Sequence, residues 1–131
     1  MRLTEEQYNE LTGSTAKRSK YHNRKVEYYD PGLKETITFD SEKERNYYLI
    51  LKDRERRGEI SHLKRQVTIF IQPRFTTPSG EKIREITYKA DFVYLDNNSK
   101  VHYIDVKGYK TEVYRLKKKL LAFNGIYIEE V

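Results

Sequence analysis

The sequence predicts an α/β domain built on a mixed β-sheet, and three observations carry that expectation. Runs rich in Val, Ile, Phe and Tyr alternate with two segments whose apolar residues recur at helical spacing. Turn-forming residues punctuate them at Asp30-Pro31-Gly32, Pro73, Pro78, Gly80 and Gly125. The resulting order, strands, helix, strands, helix, strand, is that of a sheet covered by helices. At 131 residues the chain is long enough for one core without covalent staples. Aromatic residues make up 13%, with Tyr 12 and Phe 5, which argues against disorder although 35% of the chain is charged.

Composition also bounds function. The absence of cysteine excludes disulfides and thiolate metal sites. Lys+Arg 26 against Asp+Glu 20 gives a net charge of +6, which favours a polyanionic partner without identifying it. No apolar stretch approaches the length of a membrane span and no signal-peptide core follows Met1, so no membrane partner and a cytoplasmic location are expected.

Taken in order, residues 3–11 read as a short helix with Thr4 as N-cap and Gly13 near its end. Lys17, Arg18, Lys20, Arg24 and Lys25 follow with few apolar partners, either as a solvated arm or as one lying along a nucleic-acid backbone. Residues 1–17 are thus assigned to an N-terminal helix or arm and 18–131 to a single domain. Val26 to Tyr29 and Thr36 to Phe39 are predicted strands around the first turn. Asp40 or Ser41 caps a helix that runs to about Arg57, and Gly58 ends it. A strand is expected near Leu63 to Ile71, then a loop or irregular hairpin, then strands over 84–95 and 100–107. A helix over 111–123 precedes a closing strand at Ile126 to Val131. On that helix Val113, Leu116, Leu120 and Phe123 have core spacing, Arg115, Lys118 and Lys119 face elsewhere, and Tyr114 and Lys117 share an intermediate face.

The chemistry is concentrated in Tyr88-Lys89-Ala90-Asp91 and in Asp105-Val106-Lys107-Gly108. Asp105 and Lys107 point the same way, roughly 7 Å apart along their strand. Acids inside an apolar sheet are costly unless a cation or polar partner offsets their burial. Loop length decides whether the acids meet. A two-residue turn, Asn97-Asn98, pairs residue 96 with 99 and sends Asp91 and Asp105 to opposite faces. A three-residue turn, Asn97 to Ser99, pairs 96 with 100 and sets them opposite each other, with Asn98 or Ser99 left-handed. The metal-site reading requires an odd loop or a bulge.

Glu44 shares the inward stripe of the first long helix with Tyr47, Tyr48 and Leu51, where a third carboxylate beside two others favours a shared cation. Gln66, among Leu63, Val67 and Ile69, is either a polar neighbour of the site or an edge residue. Gly108 leaves room for a phosphate, and Lys110, Lys117 and Lys119 are candidates for backbone contact, against the alternative of a merely solubilising face. His22, His62 and His102 have no metal-ligand spacing, and His102 is read as structural. No phosphate loop, nucleophile elbow or nucleotide fingerprint is present.

Together, Glu44 on a helix, Asp91 on a strand, Asp105-x-Lys107 on the next and a helix thereafter resemble the PD-(D/E)xK nuclease superfamily. Ala90 stands where the name has proline, and Asp105 stands where glutamate is frequent. Lys20-Tyr21-His22-Asn23-Arg24-Lys25, Phe39-Asp40-Ser41 and the two acidic motifs also resemble a family of small phage proteins classed as a domain of unknown function. The resemblance implies a restriction-endonuclease-like fold, a mixed central sheet flanked by helices. It implies Mg²⁺ or Mn²⁺ held by Asp91, Asp105 and the Val106 carbonyl, with Glu44 directly or through water. Lys107 would position or help deprotonate the attacking water. The expected activity is endonucleolytic hydrolysis of DNA without an organic cofactor, in the host cytoplasm, on branched DNA in the manner of a Holliday-junction resolvase, with a homodimer by analogy. The alternatives are a non-catalytic nucleic-acid-binding module on the same fold and a structural phage protein with a tyrosine interface.

Overall fold

The computed structural model describes residues 24–106 and 110–131. The expectations for residues 3–11 and for Lys17, Arg18, Lys20, Lys107 and Gly108 lie outside them. The described chain runs β1 (Val26–Asp30), β2 (Glu35–Phe39), α1 (Glu42–Arg56), β3 (Ile60–Gln72), β4 (Phe75–Thr76), β5 (Lys82–Ile83), β6 (Ile86–Asp96), β7 (Val101–Asp105), α2 (Glu112–Phe123) and β8 (Ile128–Glu130). The fold is mixed α/β. A four-stranded sheet has the order β3-β6-β7-β8, antiparallel except for the parallel β7–β8 pair, and β1–β2 and β4–β5 are separate hairpins.

Each element ends where its residues require. The Asp30 side chain accepts the Gly32 and Leu33 N–H groups at 2.8 and 3.2 Å and folds the first turn. The same carboxylate accepts the Tyr48 hydroxyl at 2.7 Å, which fastens the hairpin to α1. Ser41 caps α1 by accepting the Glu44 N–H at 3.1 Å. Gly58, at φ 78°, closes the helix through the Glu59 N–H to the Arg54 carbonyl. Thr111 caps α2 by accepting the Tyr114 N–H at 3.0 Å.

Two clusters hold the layers together. The first joins Tyr48 and Leu51 of α1 to Ile37, Phe39, Ile60, Phe92, Tyr94 and Ile104. The second joins Tyr114 and Leu121 of α2 to Tyr88, Ala90 and Ile128. Ala90 and Phe92 are two residues apart on one strand, yet they enter different clusters. Strict alternation would put them on one face. The alternation therefore slips at Asp91. Opposite it Gln66 has φ 52°, a left-handed backbone inside a strand, flanked by the pairs Arg65↔Phe92 and Val67↔Ala90.

The β6–β7 turn has three residues. Leu95 pairs with Val101, the Asp96 N–H bonds the Lys100 carbonyl at 2.9 Å, and Ser99 is left-handed at φ 61°. Serine bears a Cβ penalty there that glycine does not. Ser99→Gly is accordingly expected to stabilise the fold by about 0.5–1 kcal/mol, read as a raised midpoint in urea. A lowered midpoint would show that the hydroxyl matters more than the torsion.

The α2 expectation needs correction. Tyr114 and Leu121 are the buried residues, whereas Leu116 is 57% and Phe123 90% exposed. The inner face is completed by half-buried Lys117 and Lys118. Long amphipathic side chains cover the sheet there with their stems, a contribution that apolar periodicity does not register.

His102 stacks on Tyr94 at 4.9 Å and is held between Asp96 (Nε2–Oδ2 2.8 Å) and Glu129 (Nδ1–Oε2 2.7 Å). Burial disfavours its charged form, but the hydrogen bonds to Asp96 and Glu129 outweigh it and raise its pKa. The raised folded value means that this contribution is fully present below the unfolded pKa of about 6.5. It is lost as pH rises through the folded pKa. Wild type should therefore melt several degrees above His102→Gln at pH 5.5, with the gap closing by pH 9. A gap independent of pH would refute an ionic role.

Candidate active site

The β6–β7 register, extended one step beyond Phe92↔Ile104, sets Asp91 opposite Asp105. Asp105 is, after burial, the neighbour that does most to raise the Asp91 pKa. Asp105 is 1% exposed and Glu44 3%, so both are interior acids. Each has fixed neighbours. The Val106 N–H donates to Asp91 Oδ2 at 2.8 Å. The Tyr88 hydroxyl donates to Asp105 Oδ2. Gln66 Nε2 donates to Glu44 Oε1 at 3.1 Å.

The electrostatics follow from burial and crowding. Burial, then the hydrogen bond to Asp105, then the charges of Asp105 and Glu44 push the Asp91 carboxyl well above the usual carboxylate range. Glu44 is raised by burial first and by Asp40 next, with Arg65 and Gln66 pulling the other way. The Arg65 guanidinium lies 4.6 Å from the Phe39 ring centroid. Tyr88 is raised by burial and by its bond to Asp105, so it stays a donor.

The sequence thus singled out Glu44, Gln66, Asp91, Asp105 and Val106, and these are neighbours in the fold. Tyr88 and Arg65 were not given site roles. Regular alternation puts Tyr88 on the face opposite Asp91, and only the slip at Asp91 brings its hydroxyl to Asp105, so periodicity held no signal for it. Of the candidate phosphate contacts, Arg24, Lys25 and Lys119 are exposed and Lys117 is half-buried. Lys110 is tied to Glu130 at 3.3 Å, beside Lys118 at 2.8 Å and the Tyr114 hydroxyl at 2.8 Å. Hydrogen bonding by Lys118 first, then by Tyr114 and Lys110, holds the Glu130 carboxyl down to about 2.

Among the described residues, no group of three or more His, Cys, Asp or Glu side chains is placed to hold a metal ion. Glu44 acts on Asp91 as a neighbouring charge without closing such a cluster. The donor chemistry nevertheless fits a hard divalent cation: Asp91 and Asp105 offer carboxylate oxygens and Val106 a backbone carbonyl. Two crowded carboxyls favour a shared proton or a shared cation, and a divalent cation would take the proton's place.

The fold and the paired acids describe an α/β domain with an acidic centre at the junction of two antiparallel strands. The chain belongs to the family described as "Protein of unknown function (DUF1064)", which matches residues 18–129. Neither the curated proteins nor the solved structures contain a match to it. Among the described residues, no helix is long and apolar enough to cross a membrane.

Proposed function

We propose that this protein is a divalent-metal-dependent DNA endonuclease on a restriction-endonuclease-like fold, hydrolysing phosphodiester bonds in phage DNA metabolism, with branched DNA as the favoured substrate. The observation that carries the reading is the β6–β7 register that sets Asp91 opposite Asp105 on neighbouring strands, with the Val106 N–H donating to Asp91. A fold gains little from burying two carboxyls against each other unless a proton or a cation is held between them.

Asp91, Asp105 and the Val106 carbonyl would hold Mg²⁺ or Mn²⁺. The bound cation would supply Lewis-acid stabilisation of the charge that develops on the phosphoryl oxygens. The chain's own groups do the positioning. The Tyr88 hydroxyl holds Asp105, the Val106 N–H holds Asp91, and Gln66 holds Glu44. Lys107, by the resemblance, orients the attacking water.

The near-complete burial of Asp105 and the lack of a three-carboxylate cluster among the described residues favour a second reading, a non-catalytic nucleic-acid-binding module. Labelled linear duplex, single-stranded and four-way-junction DNA incubated with Mg²⁺, Mn²⁺ or EDTA separates the two. Metal-dependent products, greatest on the junction, are expected. Salt-sensitive binding without cleavage would establish the module instead.

A further inference from the structure

We propose that the far end of the β3–β6 ribbon, with the β4–β5 hairpin, is an arm that binds duplex DNA, an inference that rests on the nucleic-acid reading above and says where that partner is held. From Gln72 to Thr87 no residue enters either core cluster and none is buried. The arm is nevertheless built. Phe75 pairs with Ile83 and Thr76 with Lys82. At the tip the Thr77 N–H donates to the Glu81 carbonyl at 2.8 Å, and Thr77 Oγ1 accepts the Glu81 N–H at 3.0 Å. At the base Arg74 Nε meets Glu85 Oε2 at 3.3 Å. A two-stranded hairpin is marginally stable by itself, and this one adds nothing to the core, so packing does not account for it.

Charge selects the occupant. Arg74, Lys82, Arg84 and Lys89 are all exposed, against the acids Glu81 and Glu85, and Glu85 is already bonded to Arg74. Thr76, Ser79 and Thr87 add hydroxyls that can donate to phosphate oxygens. At the root of the arm Thr68 pairs with Lys89 and Phe70 with Thr87, and paired residues share a face. Tyr88 and Ala90 turn toward α2, so these four turn the other way, to the side of the sheet that α1 covers at Phe92. Phe70 is 65% exposed there, and Phe75 on the hairpin is 47% exposed. Cations and hydroxyls with isolated rings suit a polar, phosphate-rich partner. A two-stranded ribbon also fits the major groove, about 12 Å wide. Ile83 precedes Asp91 on the same run of chain by roughly 25 Å of extended backbone. The arm therefore reaches phosphates about 7 base pairs from a bond held at the acids.

The test is the salt dependence of binding to a labelled duplex of about 30 base pairs, followed by fluorescence anisotropy. It is run in EDTA and in Ca²⁺, so that no cleavage is needed to read it. Lys82→Ala/Arg84→Ala should lower affinity about 10-fold or more at ~0.1 M salt and reduce the slope of log affinity against log salt by about 2. Lys34→Ala/Lys100→Ala removes the same charge from exposed turn positions and should leave the slope unchanged. Phe75→Ala should lower affinity at constant slope, because a ring releases no counterion. All variants should melt with wild type, since none of these side chains is buried.

Equal losses from the two lysine-containing pairs would overturn the arm, and so would an unchanged slope in Lys82→Ala/Arg84→Ala. Cleavage by a wild type whose arm variant keeps full affinity would sink the arm alone. Arm-dependent binding without cleavage in Mg²⁺ or Mn²⁺ would uphold the arm and sink the nuclease reading. A wild type that binds no duplex would sink both.

Discussion

Asp105→Asn is expected to reduce metal-dependent cleavage by about 10²–10³-fold or more while leaving the protein folded and at least as stable as wild type. The two halves of that result have separate causes. The amide keeps an oxygen to accept the Tyr88 hydroxyl, so the local hydrogen bond survives. It also removes a buried acid, 1% exposed, that crowds Asp91 and pushes its carboxyl above the usual range. What is lost is the second anionic ligand, and a neutral oxygen holds a hard cation far less well. Cleavage assays across Mg²⁺ concentration, paired with thermal melts, test both halves. Loss of cleavage together with collapse of the fold would make Asp105 structural. Undiminished cleavage by a folded variant would remove it from the chemistry.

The second large effect comes from a turn residue whose bond is to Asp96, outside the acidic centre. Deleting Asn98 shortens the β6–β7 turn from three residues to two and shifts the pairing of β7 by one. Ile104, 1% exposed, would then leave the first cluster, and Asp105 would turn away from Asp91. Removing a fully buried aliphatic side chain from a core costs about 2–5 kcal/mol. The deletion should therefore destabilise by about 3 kcal/mol or more and abolish cleavage in whatever remains folded. Replacing Asn97-Asn98-Ser99 with Asp-Asn-Gly keeps the length and should restore both properties. Unfolding in guanidinium measures the difference. A deletion variant with wild-type stability would show that the strands absorb the missing residue elsewhere.

Much of the architecture was legible because local chemistry and tertiary packing agree. Ser41 and Thr111 cap their helices, Gly58 ends the first, and the Pro73–Gly80 stretch makes the irregular β4–β5 hairpin. The odd turn at Asn97 to Ser99 was legible as a condition: if the acids meet, the loop must have this length, and it does. Two matters were hidden. The slip at Asp91 depends on a left-handed Gln66 in another strand, and no local propensity announces it. The inner face of α2 is closed by Tyr114, which bonds Glu130 and neighbours Asp105, and by Lys118, which also reaches Glu130, so hydropathy assigned the apolar stripe to the core and the wrong side of the helix was turned inward.

Connectivity also sets an order in time. The outer edge of β7 is paired by β8, with Tyr103 against Ile128 and the Val131 N–H on the Asp105 carbonyl at 3.0 Å. Those partners are translated after the whole of α2. On the ribosome, both acidic strands exist before the backbone that seals one of them from water. The emerging chain therefore carries an open strand edge beside Asp105 until residues 128–131 leave the exit tunnel, and only then is that edge sealed from solvent.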